Sequence, residues 1–262
     1  MEFSEAQFNE VLGKINKGMT DLAAKIDEVP RAARAAMDHW YVPDFMGDAI
    51  EWCATKICEL AKWLLNKIKE ALVGVAAPIC FFNRAIDWQD VRGLANGVTG
   101  QLKPEAMPAV TSWTGSGATA YKASIKPQGD AAAKIAAIAD KVAQALFYCS
   151  GAGLLFYLAI ALILAKFIAA MVVGIAAFSS AVFSWAGAAL VVEEAGVNSA
   201  MIWSAIVALS GVLVVQAQQL TIVHGETVDN SAFPRGHWPD PLSSTYGDAT
   251  VKDGDADWSL NS

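Results

Sequence analysis

The stretch that decides the fold is residues 154–192, which reads LLFYLAIALILAKFIAAMVVGIAAFSSAVFSWAGAALVV and carries one charged side chain, Lys166. A second run, residues 197–223, reads VNSAMIWSAIVALSGVLVVQAQQLTIV and has no charged side chain. A helix rises about 1.5 Å per residue, so each run is long enough to cross a hydrocarbon layer about 30 Å thick. The runs predict membrane-crossing helices; the alternative is a soluble bundle whose buried helices are rich in alanine.

The simplest count is two crossings, within residues 148–174 and 200–220. The segment that joins them contains Ser179, Gly187 and Glu193-Glu194, and we expect the two glutamates to form a solvated turn. A split of the first run into two short crossings would give three. Two crossings leave both termini on one side, and the basic residues before the first crossing make that side the cytoplasm. Three would place the acidic tail outside.

Outside these runs the chain is polar and near neutral until its end. Apolar residues make up 55% of the whole chain and the mean hydropathy is +0.36, so the apolar excess is concentrated in the two runs. Before them, apolar residues recur at three- and four-residue steps, which is typical of amphipathic helices. Pro78 is expected to kink or end the second helix, and Pro127 to disturb the fourth. The predicted helices cover residues 2–38, 48–82, 85–102 and 118–146.

The predicted fold is therefore all-α and has three parts. Residues 1–145 form an amphipathic helical domain, residues 146–223 form the membrane-helix region, and residues 224–262 form an acidic tail. The tail is rich in Asp, Ser, Pro and Gly and has almost no aliphatic pattern, so we expect it to be largely disordered.

The most informative short motif is Trp113-Thr114-Gly115, in a loop between two amphipathic helices. A glycine permits a tight reversal there, and a tryptophan can cover the apolar seam of a helical hairpin. With the residues that follow, the segment reads WTGSGATAY and leads into an Ala-rich helix. Over residues 85–146 it resembles the Trp-x-Gly (WXG) family of helical-hairpin proteins, which is tied to type VII secretion in actinobacteria and related bacteria. In that family a small residue and an aromatic residue follow the motif, at about the positions of Ala118 and Tyr121.

Two features depart from the family pattern. Its members are usually short and soluble, whereas this chain continues into membrane-like helices. Exported members often carry a tyrosine followed four residues later by an acid. Here Tyr121, Tyr148 and Tyr246 are followed at that place by Ile, Ala and Thr, and no tyrosine in the chain satisfies the pattern. The resemblance implies a partner-binding hairpin, and export would require a partner that carries the signal.

Three further residues are candidate functional positions. Lys166 lies inside the first apolar run, where a charge either pairs with an acid of another helix or chain, lines a wet cavity, or extends towards the membrane interface. Phe233 and Trp238 flank a Pro-Arg-Gly-His segment just after the last apolar helix. We expect them to anchor the chain at the membrane interface, where tryptophan is favoured; docking into a partner groove is the alternative.

Nothing in the sequence points to catalysis or to a cofactor. The three histidines and four cysteines have no metal-ligand spacing, and neither a phosphate-binding glycine loop nor a nucleophile motif is present. Lysine and arginine are interleaved with acids, so no basic stripe for nucleic acid forms. The first residues, MEFSE, lack the charge and apolar core of a secretory signal, so we expect no classical signal peptide.

These observations favour a non-enzymatic, membrane-anchored interaction or scaffold protein linked to a type VII-like secretion system. Its partners would be another protein or a second copy, bound through helical faces, together with membrane lipid. The first alternative is a membrane-inserting pore-forming effector, released without a classical signal, in which oligomerisation aligns Lys166 around a lumen. The second is a soluble helical protein that self-assembles through the same apolar surface.

Overall fold

The computed structural model describes residues 3–38, 44–178 and 185–239, which contain helices and no strand. The all-α prediction is confirmed. Two short 3₁₀ segments, Pro104–Ala106 and Pro234–Gly236, accompany the α-helices. The α-helices are α1 (Glu5–Met37), α2 (Asp44–Leu72), α3 (Ala77–Gln101), α4 (Pro108–Ser112), α5 (Ser116–Phe178) and α6 (Trp185–Thr227).

The first helix forms as its sequence pattern predicts. Ser4 precedes it in an extended conformation, and its hydroxyl accepts a hydrogen bond from the Gln7 backbone N–H at 3.4 Å. Such a cap satisfies one of the donors that the first helical turn leaves unpaired. The predicted apolar stripe is buried, including Phe8, Ile15 and Leu22, each with 0% exposure.

The second and third predicted helices have different boundaries in the structure. The apolar pattern predicts that the second helix reaches residue 82, but α2 ends at Leu72 and a turn precedes α3, which begins at Ala77. Pro78 therefore lies in the first turn of α3 and does not end α2. Proline is tolerated there because the first turn of a helix has no partner for its backbone N–H groups.

The fourth predicted helix and the first predicted crossing are one helix, α5, of 63 residues, and it continues through Pro127. A proline removes a single backbone hydrogen bond, and the bonds on either side hold the helix together. The predicted turn at Glu193-Glu194 is wrong, because both residues lie inside α6. The connection is shorter than expected because that stretch lacks proline and is rich in alanine, which favours helix.

Two compact units can be recognised. Unit 1 comprises Met1–Phe81 and Tyr148–Val214, and unit 2 comprises Phe82–Phe147 and Val215–Ser262. The core of unit 1 joins the apolar stripes of α1 and α2 to the second half of α5, with Leu64, Leu154 and Phe167 almost completely buried. The predicted division into residues 1–145 and 146–223 differs from these units and stays a prediction.

Two helical segments are long and apolar enough to cross a membrane, Tyr121–Phe178 in α5 and Ala200–Thr227 in α6. They contain the two predicted crossings. A core helix of a soluble protein would also pass this test, so burial is the property that separates the two cases. In the most apolar window of α5, 44% of the residues are buried, whereas in α6 only 6% are. The predicted disordered tail begins at residue 224, but residues 224–227 complete α6 and Pro234–Gly236 forms a 3₁₀ segment. The tail from residue 240 onward lies outside the described residues.

Candidate functional site: exposed apolar helices and a Trp-Gly turn

The Trp113 turn brings together residues that the sequence singled out. It connects the end of α4 to the start of α5, and Gly115 has a φ of +102°, a conformation that favours glycine. The rings of Trp113 and Tyr121 are in contact, with centroids 5.9 Å apart. Ala118, between them in sequence, is buried with 4% exposure. Trp113 itself is 45% exposed, so it remains available to a partner.

Within unit 2, α3 and the first half of α5 form an antiparallel pair. The Phe82 and Phe147 rings lie 5.8 Å apart at one end. Arg92 pairs with Asp140 at 3.2 Å further along. From the first contact to the second, residue numbers increase on α3 and decrease on α5. The two helices are therefore antiparallel, as in the predicted helical hairpin. The pair is longer than predicted on the α3 side, because α3 begins before residue 85.

Several apolar residues of α3 are left partly or largely open by the described part of the chain. The sequence pattern placed four of them on one side of the helix. Leu94 is 74% exposed, although leucine is among the residues most often buried. We call this set the α3 stripe; its members are Ile86, Val91, Leu94 and Val98. The stripes of α1 and α2 differ from it because the chain itself buries them.

The longest exposed apolar surface belongs to α6. Between residues 200 and 223 the helix has no charged side chain, and its length there is about 36 Å. Val207 is 68% exposed, Val214 57% and Ile222 56%. A helix that is apolar all round is normally buried in protein or in lipid. The described part of the chain leaves most of this surface unburied.

Within unit 2, ion pairs lie directly after this run. Lys141 of α5 pairs with Glu226, and Lys134 pairs with Asp229 at 3.5 Å. The pKa of Asp229 is held below its usual range, mainly by a hydrogen bond from the Ser231 backbone N–H. Charges therefore begin where the uncharged run of α6 stops, as expected at a boundary between an apolar and an aqueous phase.

The two predicted interface anchors lie close together. Phe233 and Trp238 flank the short 3₁₀ segment Pro234–Gly236, and their ring centroids are 6.4 Å apart. Trp238 is 42% exposed. The aromatic pair follows the charged residues at the end of α6, and its role as a membrane anchor stays a prediction.

In unit 1, α1 covers one face of the first apolar run. Phe8 meets Tyr157 edge to face, with ring centroids 5.5 Å apart. A Cβ placed on Gly18 would lie 2.6 Å from the Cδ2 atom of Leu164, so the two helices approach as closely as a glycine allows. The Tyr157 hydroxyl donates a hydrogen bond of 2.9 Å to the Ala71 carbonyl in the last turn of α2. Sequence reasoning missed these contacts, because the spacing of an amphipathic stripe does not tell which surface will cover it.

Lys166 lies on the part of α5 that α1 and α2 leave open. Its side chain is exposed, and it forms no ion pair with any residue in the described part of the chain. The acid partner that the sequence left open is therefore not supplied there.

The described side chains present little reactive chemistry. No group of three or more His, Cys, Asp or Glu residues among them is arranged to hold a metal ion. Burial raises the pKa of the Cys53 and Cys58 thiols, which keeps them protonated near neutral pH. A groove of about 680 Å³ between α1 and α2 is lined by charges of both signs, including Asp27, Arg31 and Glu59.

No family model, curated protein or solved structure matches this chain.

Proposed function

We propose that this chain is a non-enzymatic, membrane-anchored interaction protein. In this proposal α6 enters a lipid bilayer, and the α3–α5 hairpin binds a protein partner on the cytoplasmic side. The observation that carries the proposal is the exposure of α6, since only 6% of its most apolar window is buried within the chain. Its uncharged part, about 36 Å long, matches a hydrocarbon layer about 30 Å thick with some tilt.

Two observations support the partner-binding part. The α3 stripe is an apolar surface on a charged helix, which is the usual form of a helix-binding face. The Trp113 turn closes the same hairpin and leaves its tryptophan exposed. Together with the resemblance to Trp-x-Gly hairpins, they support a partner that belongs to a type VII-like secretion system. The partner would be a second helical hairpin, and the alternative is a second copy of this chain.

Flotation with liposomes tests the membrane part. Val207→Asp puts a charge on the exposed apolar face of α6, where it leaves the folded chain intact in water. A carboxylate near a bilayer centre costs about 2.5–3.5 kcal/mol, so binding should weaken about 100-fold. The matched control is Val73→Asp, at a residue that is 89% exposed in the turn between α2 and α3. Equal flotation of the two variants would refute insertion of α6, and a loss of self-association alone would favour a soluble assembly.

Co-purification from the native host tests the partner part. Trp113→Ala should reduce the amount of bound partner, because it removes an exposed ring at the hairpin turn. Trp52→Ala is the control, since Trp52 is an exposed tryptophan of α2, outside the α3–α5 hairpin. Partner recovery equal to that of the wild type would contradict the assignment of the Trp113 turn to binding.

A second function, membrane insertion by a pore-forming effector, is favoured by one observation. The longest apolar run, in α5, is part of a water-compatible bundle because α1 and α2 bury one of its faces. A chain of this design can be folded in water before it enters a membrane. Release of an encapsulated dye by the purified protein would support this function, and stable binding without release would favour the anchored interaction protein.

A further inference from the structure

Helix α1 lies along the first apolar run of α5 and covers one of its faces. Phe8 of α1 meets Tyr157, and ten residues later Gly18 meets Leu164. Residue numbers increase in the same direction along both helices in these two contacts, so α1 runs parallel to this half of α5. The cover is close, since the Gly18 backbone leaves no room for even a methyl group without movement of the Leu164 side chain.

The cover brings charges to the middle of the run. Lys14, Lys17 and Asp21 of α1 line the same groove as Leu158 and Leu162 of α5. A charged side chain at the centre of a bilayer is costly, so these residues oppose insertion of α5 while α1 lies against it. While α1 stays in place, this half of α5 is kept out of hydrocarbon.

The face of α5 beneath the cover is as apolar as the face outside it. Leu164 lies against Gly18, and Phe167 and Met171, three and seven residues further along the same side of α5, are buried with 1% exposure or less. Val172 and Val173, away from this side, are 46% and 51% exposed. A helix that belonged only to a soluble core would carry polar residues on its outer face. Apart from Lys166, the part of α5 between residues 154 and 178 carries no charged side chain on any face, which is the composition of a helix that meets lipid.

We propose that the covered face of α5 is a second lipid-binding surface, which a bilayer reaches only after the α1–α2 hairpin has moved away. This inference rests on the proposed membrane function and extends it from α6 to α5. The described part of the run, residues 154–178, is about 37 Å long as a helix, enough to cross the hydrocarbon layer. This segment carries no charge except Lys166, and its length matches the thickness of the hydrocarbon layer. A contact with a single helix of the same chain would need a shorter apolar surface. Within unit 1, α6 already lines a common pocket with α5 through Ile202 and Ile206.

A reversible cross-link between α1 and α5 tests this proposal. A Cβ placed on Gly18 would lie 2.9 Å from Leu164 Cγ, which is bonded to the Leu164 Cβ. The two Cβ positions thus fall within the separation that a disulfide spans, about 3.5–4.5 Å. The Gly18→Cys/Leu164→Cys variant would be made with the exposed Cys80 replaced by serine and studied oxidised and reduced. The readout is labelling by a carbene-generating photolabel dissolved in liposomes, mapped by mass spectrometry.

The expected result is labelling of α6 in both states, and labelling of Phe167 and Met171 only after reduction. Equal labelling of these two residues in both states would overturn the proposal, because α5 would then reach lipid with its cover attached. Label confined to α6 in both states would also overturn it and leave the proposed anchor intact. Absence of label on α6 would overturn the membrane function itself.

A pair of glycine variants gives an independent check without cysteines. Gly18→Leu forces a side chain between α1 and Leu164, whereas Gly13→Leu points into open space on the same helix. Both add the same apolar bulk and remove the same helix-weakening glycine. Gly18→Leu should increase labelling of Phe167 several-fold over wild type, and Gly13→Leu should not. Equal labelling of both variants would contradict a covering role for α1.

Discussion

The contact between Pro78 and Gly153 offers a sharp test of the packing in unit 1. A Cβ placed on Gly153 would lie 2.4 Å from Pro78 Cγ and 2.9 Å from Pro78 Cβ. Both atoms belong to a rigid ring whose position is fixed by the backbone, so the neighbour cannot rotate away. Gly153→Ala therefore adds a methyl group where there is no space and no flexible side chain to move.

The magnitude follows from two opposing terms. Alanine in place of glycine inside a helix gains about 0.5–1 kcal/mol. Overpacking of a well-packed contact costs about 1–3 kcal/mol. Gly153→Ala should therefore lower the free energy of unfolding by up to about 2 kcal/mol. Gly13→Ala, which meets nothing within 4 Å, should raise it by the helix term alone.

Urea unfolding followed by far-ultraviolet circular dichroism measures both variants, with an unchanged m value as the sign of an unchanged denatured state. Pro78→Ala removes the Cγ atom that the new methyl group would meet. The double variant Pro78→Ala/Gly153→Ala should therefore lose less stability than the sum of the two single variants, with a coupling energy of about 0.5 kcal/mol or more. If Gly153→Ala is as stable as Gly13→Ala, the close approach of the α3 start to α5 does not exist and the reasoning fails.

Three further predictions address single contacts. Tyr157→Phe should lower the free energy of unfolding by about 0.5–1.5 kcal/mol, because it leaves the Ala71 carbonyl without its hydrogen-bond donor. The control Tyr148→Phe, at a position that is 64% exposed, should have no effect, and equal urea midpoints of the two variants would contradict the prediction. Gly115→Ala should destabilise the Trp113 turn by about 1–3 kcal/mol, because Gly115 has a φ of +102°, which alanine adopts only with strain. Faster hydrogen exchange at the start of α5 would show this loss of stability, and unchanged exchange would refute the turn geometry. A hydrogen bond from Lys14 and the charge of Lys14 lower the pKa of Glu10. The stabilisation from this pair is therefore fully present above the ordinary carboxyl pKa and is lost as the pH falls through the lowered pKa. In an NMR titration, Lys14→Met should raise the Glu10 midpoint, and an unchanged midpoint would exclude the pair.

The sequence was sufficient for the helices because their signals are local. The stripe of α1, its serine cap and the two long uncharged runs each depend on residues a few positions apart, and the structure confirms an all-α fold with two helices able to cross a membrane. The boundaries near Pro78 and Glu193 were wrong for a different reason. A proline permits either the end of one helix or the start of the next, so its position in the sequence does not distinguish the two.

The candidate site was less predictable because it depends on what covers each apolar face. The apolar residues of α1 form a regular stripe that is buried, whereas those of α3 are less regularly placed and are partly open in the described part of the chain. The close approach of Gly18 to Leu164 joins residues far apart in the sequence, and no local pattern identifies such a contact. A partner for the open residues of α3 stays a proposal.

The same reasoning separates the two helices that are long and apolar enough to cross a membrane. In α6 only 6% of the most apolar window is buried, so in the proposed anchored state lipid would meet most of its surface. In α5 one face already has a cover that carries Lys14, Lys17 and Asp21, and hydrocarbon cannot accept both the helix and those charges. In the two proposals, α6 therefore meets lipid first, and α5 meets it only after its contacts with α1 are broken. The Gly18–Leu164 contact then separates the proposed anchored state from the proposed inserted state, which is why the cross-link at these two positions tests both proposals.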